Sequence, residues 1–256
     1  MNRPSRKQQR LAAREARLEA ERTRTALSRR RRRQRAAIVT VIALGAATAG
    51  IVVSSTPPGS APTAGTVRAV TALLRGIPES GERLGTPDAP VRVAYYGDLE
   101  CPVCAAFTLS TLPTLVRHDV RIGKVSLSYH SLETATRSPE VFVTQQAAAL
   151  AAGRQNRLWC YVELFYHEQG IEDTSYVTQH FLTGLARQVP GLNLDEWLQQ
   201  CKNPALATEV VAEDRAAAAG GLDSTPSLVV TGPHGQQTLV GDVPYTTLEQ
   251  TISSVA

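Results

Sequence analysis

The chain has 256 residues, 43% of them apolar, which is long enough for one or two domains with a sizeable core. Its net charge of +4 is unevenly placed: residues 1–35 hold 14 Lys/Arg against 3 Asp/Glu, and the other 221 hold 13 against 20. The basic balance therefore describes a tail of net +11 and excludes a basic body, since the remainder is net −7.

Residues 1–35 are rich in Arg, Gln and Ala, with Arg29 to Arg33 unbroken. Such a run can be a nucleic-acid arm, but the segment after it argues for a membrane. Ala36 to Val53 is 18 residues without a charge. As a helix it spans about 27 Å, enough to cross a hydrocarbon core when its flanks snorkel. The basic flank sets the N-terminus in the cytoplasm and the rest of the chain outside. The rival is a cleaved signal peptide, which wants a shorter basic region and a core of about 7–15 residues. An uncleaved single-pass anchor in the cell membrane, with an extracytoplasmic body and no nucleic-acid partner, fits better. Residues 54–66 are Ser-, Pro-, Thr- and Gly-rich and read as a linker. Val67 to Leu74 reads as a short amphipathic helix, and Ile77 to Pro90 as turn-rich chain.

Val91 to Tyr96 is a short, mostly apolar strand, followed by Gly-Asp-Leu-Glu and then Cys101-Pro-Val-Cys104. An apolar helix follows, from about Pro102 to Arg117, with a kink expected at Pro113. Pro102 falls at a first-turn position, where its missing N–H has no helical partner to lose. Cys101 is thus placed at a helix N-terminus, where unpaired N–H groups and the positive end of the dipole favour a thiolate. A thiolate with a second thiol one turn inside the helix is the machinery of thiol–disulfide exchange. Half of a zinc site is the alternative. A structural zinc wants four ligands, and neither Cys160 and Cys201 nor the five histidines supply a second knuckle. The reading therefore calls for no metal and no cofactor.

Lys124 to His130 alternates and reads as a second strand, parallel to the first by a right-handed crossover. His130 at its end is read as structural. Ser138-Pro-Glu opens a helix that Gly153 ends. Helices are expected over 154–169, 174–189, 193–201 and 205–220, with Trp159 in the core. Cys160 and Cys201 both fall among them. Disulfides persist outside the cytoplasm, so a structural Cys160–Cys201 bridge is expected. It closes a loop of 42 residues, worth about 4 kcal/mol in the chain-entropy account. The alternative is two buried free thiols. Ser227 to Thr231, a Gly232–Gly235 turn and Gln237 to Val240 form a hairpin, and Pro244 to Val255 a closing helix.

Two stretches together carry a resemblance. Gly85-Thr-Pro-Asp-Ala-Pro-Val91 with Tyr96-Gly-Asp-Leu-Glu-Cys-Pro-Val-Cys104 resembles the DsbA-like branch of the thioredoxin superfamily. Gly221-Leu-Asp-Ser-Thr-Pro-Ser-Leu-Val-Val230 resembles that branch's cis-proline segment. The resemblance covers residues 75–256. It implies an α/β thioredoxin-like fold with an inserted helical domain, here about 138–203 within a domain over 67–256, preceded by the transmembrane helix. It also implies a cis Thr225–Pro226 bond, with the backbone of Thr225 beside Cys101 to pair with a substrate strand. The implied activity is extracytoplasmic thiol:disulfide exchange with exported, cysteine-containing proteins, recycled by a membrane redox partner. Cys101 is then the attacked sulfur and Cys104 the leaving one, with Pro102 and Val103 shaping the site.

Val103 departs from the histidine familiar in that dipeptide. Asp98 and Glu100 lie close as well, and carboxylates oppose a thiolate. Both features are expected to weaken the oxidant. A reductase or isomerase using the same site, or a non-catalytic thioredoxin-like binding module, are the other functions compatible with the chain.

Overall fold

The computed structural model describes residues 62–256. The basic tail at 1–35, the apolar span at 36–53 and residues 54–61 of the linker lie outside the described residues. No helix among the described residues is long and apolar enough to cross a membrane.

Helix α1 (Ala64–Leu74) starts inside the stretch read as linker, because the Thr63 hydroxyl caps it by accepting from the Thr66 N–H. Its far end is closed by Arg121, whose guanidinium donates to the Leu73 and Arg75 carbonyls at 2.6 and 2.8 Å. These are orphan acceptors of a last turn. A hairpin of two-residue strands follows, β1 (Glu79–Ser80) and β2 (Arg83–Leu84). It lies in the stretch read as turn-rich chain; strands this short show no alternation to read.

The sheet has six strands in the order β1-β2-β4-β3-β5-β6. At its centre β3 (Val91–Gly97) runs parallel to β4 (Val125–Ser131), in register from Val91↔Val125 to Gly97↔Ser131. On its other side β3 runs antiparallel to β5 (Ser227–Gly232), which pairs with β6 (Gly235–Val240). Val91, Val93 and Tyr95 point to one buried face, the period-two pattern expected of a strand. Between β3 and β4 run α2 (Pro102–Ser110), α3 (Leu112–Leu115) and a π-helical turn at Val116–Val120. The single helix expected over 102–117 is therefore interrupted, and the break at Thr111 falls just before Pro113.

Five helices connect β4 to β5: α4 (Pro139–Gly153), α5 (Leu158–His167), α6 (Gln179–Gln188), α7 (Leu194–Cys201) and α8 (Pro204–Ala219). Ser138, Thr178, Asn193 and Asn203 cap four of them through their side chains. Every residue from Gln145 to Gly153 and from Leu158 to Tyr166 is buried, so α4 and α5 form the centre of this block. Helix α5 begins later than the expected 154, since Asn156 turns the chain at a positive φ of 56°. Helix α9 (Tyr245–Val255) covers β5 and β6. The hairpin turn presses so closely on its end that a Cβ at Gly232 would lie 2.2 Å from the Val255 carbonyl.

One expectation needs correction. Cys160 and Cys201 are free thiols, without the expected bridge between them. The reason is helical phase. Neighbouring residues on a helix point about 100° apart, and it is Tyr161 that faces α7, its ring 5.9 Å from that of Trp197 and its hydroxyl near Cys201. Cys160 points instead toward α1 and β1, where it borders a cavity of about 480 Å³ with Leu74, Ile77, Glu79 and Arg157.

Candidate active site

The site is built where three segments converge: the β3–α2 turn, the β4–α4 loop and the turn entering β5. Cys101 is the N-cap of α2. Its Sγ accepts from the Cys104 N–H at 3.4 Å, and Pro102 occupies the first turn. The backbone N–H of Cys101 donates to the Asp98 carbonyl at 2.9 Å, and the Ala105 N–H returns to the Cys101 carbonyl at 3.1 Å. Gln169, just after α5, donates from Nε2 to the carbonyls of Leu99 and Cys101 at 2.6 and 3.2 Å. The turn that carries the nucleophile is thereby pinned to the helical block.

Cys101 is 5% exposed and Cys104 not at all, so the outer sulfur is more enclosed than expected, while Val103 beside it is 42% exposed. The Cys101 pKa falls from the ordinary thiol value to about 7. The chief cause is the hydrogen bond from the Cys104 thiol; burial opposes it, and bonds from Thr225 and from the Cys104 and Val103 N–H groups add to it. Cys104 moves the other way, pushed well up by burial first and then by giving its proton to Cys101. Beneath it lies a floor of uncharged hydroxyls. Tyr95 bonds to Thr108 at 3.0 Å and donates to the Cys104 carbonyl at 3.4 Å, and Tyr166 donates to the Asp98 carbonyl at 3.2 Å.

The Thr225–Pro226 peptide bond is cis. The Thr225 carbonyl accepts from the Cys101 thiol at 3.6 Å, which brings together two residues 124 apart in sequence. His130 is elsewhere: it pairs with Glu213 at 3.0 Å and stacks on Tyr96.

The two carboxyls near the motif are both buried, and each has its own surroundings. Asp98 is fully buried and turned toward the β4–α4 loop, where Oδ2 accepts from the Thr134, Ala135 and Thr136 N–H groups at 3.0, 2.8 and 2.8 Å. The Glu100 N–H and the Gln145 side chain donate to Oδ1. A carboxyl supplied with this many donors can be buried without a cation. Glu100 is also buried, and its pKa is raised chiefly by desolvation, which weakens it as a negative neighbour. Neither is among the largest influences on Cys101. Asp98, Thr134, Thr136 and Gln169 were not found as site residues by sequence reasoning. Their partners lie tens of residues away, and no local spacing marks them.

The thioredoxin family model matches residues 79–242. The chain belongs to this family. Over 152 residues it is 22% identical to the probable disulfide bond formation protein D of Bacillus anthracis, covering 59% of this chain and 70% of that one. The crystal structure of oxidised BdbD from Bacillus subtilis superposes with a TM-score of 0.59 at 19% identity, covering 68% of this chain and 91% of the other. That of Pseudomonas aeruginosa DsbA2 gives 0.52 at 22%, covering 71% and 97%. In the DsbA-like frame, a cap-position thiol disposed to ionise, a fully buried second thiol bonded to it and a backbone carbonyl alongside form a thiol:disulfide oxidoreductase.

Proposed function

We propose that the protein forms or exchanges disulfides in exported proteins through Cys101 and Cys104, working from the outer face of the cell membrane. The observation that carries the chemistry is the placement of Cys101 as N-cap, with the Cys104 thiol as its hydrogen-bond donor. The membrane assignment rests on the uncharged run at 36–53 behind a basic tail.

In the oxidising direction the reaction starts from a Cys101–Cys104 disulfide. A substrate thiolate attacks Cys101, a mixed disulfide forms and Cys104 leaves. A second substrate thiolate attacks the substrate sulfur of that mixed disulfide and releases Cys101 as a thiolate. The substrate loses two electrons and the enzyme gains them as the dithiol. A membrane redox partner that accepts those two electrons restores the disulfide. Stabilising the Cys101 thiolate stabilises the dithiol, so a pKa near 7 makes the disulfide more oxidising than one between ordinary thiols. Val103, half open to solvent beside Cys101, and the Thr225 backbone line the approach. An extended peptide is the substrate form that could pair with the Thr225 backbone on that approach.

The test is entrapment. Cys104→Ala in the full chain, expressed in cells that export cysteine-containing proteins, should accumulate mixed disulfides that run at high mass without reductant. Cys101→Ala should trap far fewer. Equal trapping by the two variants would remove Cys101 from the nucleophile's role, and a reporter after Ala256 that works only in the cytoplasm would reverse the topology.

A further inference from the structure

Thr225 lies just outside the sheet. Pairing of β5 with β3 begins at Ser227, and the Pro226 carbonyl is held by the Gly241 N–H at 2.8 Å. Toward the active-site turn Thr225 is tied in two ways among the described residues. Its carbonyl accepts from the Cys101 thiol at 3.6 Å, and its hydroxyl is bonded to the Thr134 hydroxyl. The first tie needs the thiol proton of Cys101. A sulfur in a disulfide has no such proton, whether its partner is Cys104 or a substrate. In those two states the Thr225 carbonyl is released to accept an N–H from a substrate strand, and the bond to Thr134 is the tie that remains.

We propose that Thr134 braces the Thr225 backbone while substrate is bound, as a positioning residue that favours polypeptide over small-molecule thiols. The brace has a fixed footing. Thr134, Ala135 and Thr136 present three successive N–H groups to Asp98 Oδ2, at 3.0, 2.8 and 2.8 Å. The Thr136 hydroxyl donates to Asp98 Oδ1 at 2.5 Å and accepts from Gln145 Nε2 at 2.8 Å. Asp98 is fully buried, and its own carbonyl accepts the Cys101 N–H at 2.9 Å. The footing of the brace and the turn carrying the nucleophile are thus fixed to one residue. From the other side, Glu213 accepts the Ser131 N–H and Asp214 the Glu133 N–H, so α8 anchors the start of the loop. The route from Cys101 through Asp98 and Thr134 to Thr225 uses no thiol proton, so it is the same in every redox state of Cys101. A small thiol needs only the Cys101 sulfur. A peptide laid along Thr225 also needs that backbone held at strand spacing from the sulfur. Thr134 is exposed, so its side chain adds little to the core.

This rests on the reading that Cys101 exchanges with a peptide laid along Thr225, and the experiment separates the two claims. The oxidised full chain is reduced by an extended peptide carrying two cysteines and, separately, by dithiothreitol. The native chain, Thr134→Val, Thr134→Ser, Thr225→Val and the Thr134→Val/Thr225→Val pair are compared, with unfolding midpoints measured alongside. Thr134→Val should raise the KM for the peptide by on the order of five-fold, the worth of one hydrogen bond, with kcat within about two-fold of native. The ratio of peptide to dithiothreitol kcat/KM should fall by the same factor. Thr134→Ser, which keeps the hydroxyl, should restore the native ratio. Adding Thr134→Val to Thr225→Val should change the ratio no further, because the brace has lost its partner. The proposal is overturned by a Thr134→Val ratio that matches the native one, by equal slowing with both reductants, or by the same fall in the Thr225→Val background. A native chain that oxidises dithiothreitol but not the peptide would take down the substrate reading and the brace with it.

Discussion

Cys101 and Cys160 are almost equally enclosed, 5% and 6% exposed, and both lie in the first turn of a helix or at its cap. Their thiols nevertheless move in opposite directions, Cys101 down to about 7 and Cys160 up to about 12. Burial raises both. The difference lies in what meets each sulfur. Cys101 is the cap itself, so the first N–H groups of α2 and the Cys104 thiol point at it. Cys160 sits three residues inside α5, past the cap, with the carboxyls of Glu79 and Glu163 as neighbours. A helix N-terminus activates a thiol only where the sulfur occupies the position that its orphan donors address.

Removing each sulfur is the harshest way to break this contrast. Cys101→Ser should reduce the rate of disulfide exchange with a model peptide by at least about a thousand-fold, since a hydroxyl at that position does not ionise near neutral pH. Cys160→Ser should stay within about two-fold of the native rate, because a thiol held protonated takes no part in exchange. Comparable losses in both would show that exchange does not depend on the cap position.

The contrast was only partly legible in the sequence. Pro102 after Cys101, behind an apolar strand, is a local pattern, and local patterns survive folding: strand β3, the helix start and the cap all stand where that pattern sets them. The Thr225–Pro226 turn was legible through its family motif. The supporting network was not. Asp98 looked like a charge beside the nucleophile, and only the fold reveals that its oxygens belong to N–H groups 36 to 38 residues away. An extracytoplasmic location suggested a second pair, but location carries no information about helical phase. Phase is what sends Cys160 toward α1 and gives Tyr161 the side that faces Cys201.

Stability against pH should separate the two thiols next. The folded pKa of Cys101 lies below its unfolded value, so the reduced protein gains stability from it above about pH 9 and loses that gain as the pH falls through 7. Two units correspond to on the order of 2–3 kcal/mol. For Cys160 the folded value is raised, so its contribution is intact below about pH 9 and is lost as the pH climbs toward 12. Urea unfolding of the reduced native chain and of Cys101→Ser, compared at pH 6 and pH 9, should show the native chain gaining on the variant. A difference that does not change with pH would mean that Cys101 is unperturbed.

A double substitution then tests the independence of the inner thiols. Cys160→Ala should cost about 1–2 kcal/mol for the small cavity it leaves, and Cys201→Ala less, as it is only half-buried. The two costs should add within about 0.5 kcal/mol, because the side chains do not meet. Were the residues bridged in the exported protein, either single change would forfeit the whole bridge and the second would add almost nothing. Strong non-additivity would therefore restore the disulfide.

The smallest effect is expected at Gln169, and it sharpens the claim that the cap, not the anchoring around it, sets the chemistry of Cys101. Gln169→Ala deletes the donor to two carbonyls of the active-site turn. The Cys101 carbonyl keeps the Ala105 N–H and stays satisfied; the Leu99 carbonyl loses the Gln169 donor. The cost should then be that of about one hydrogen bond, about 0.5–1.5 kcal/mol in unfolding free energy. The cap bond from the Cys104 N–H does not pass through Gln169, so alkylation of Cys101 at pH 7 should stay within about two-fold of native. Gln169→Glu should be worse than the alanine in both measurements, because it sets a carboxylate against two carbonyl oxygens in a half-buried place. If Gln169→Ala raised the Cys101 midpoint as far as the ordinary thiol value, the strap from the helical block would be what activates the thiol, and the position of the sulfur at the helix end would be secondary.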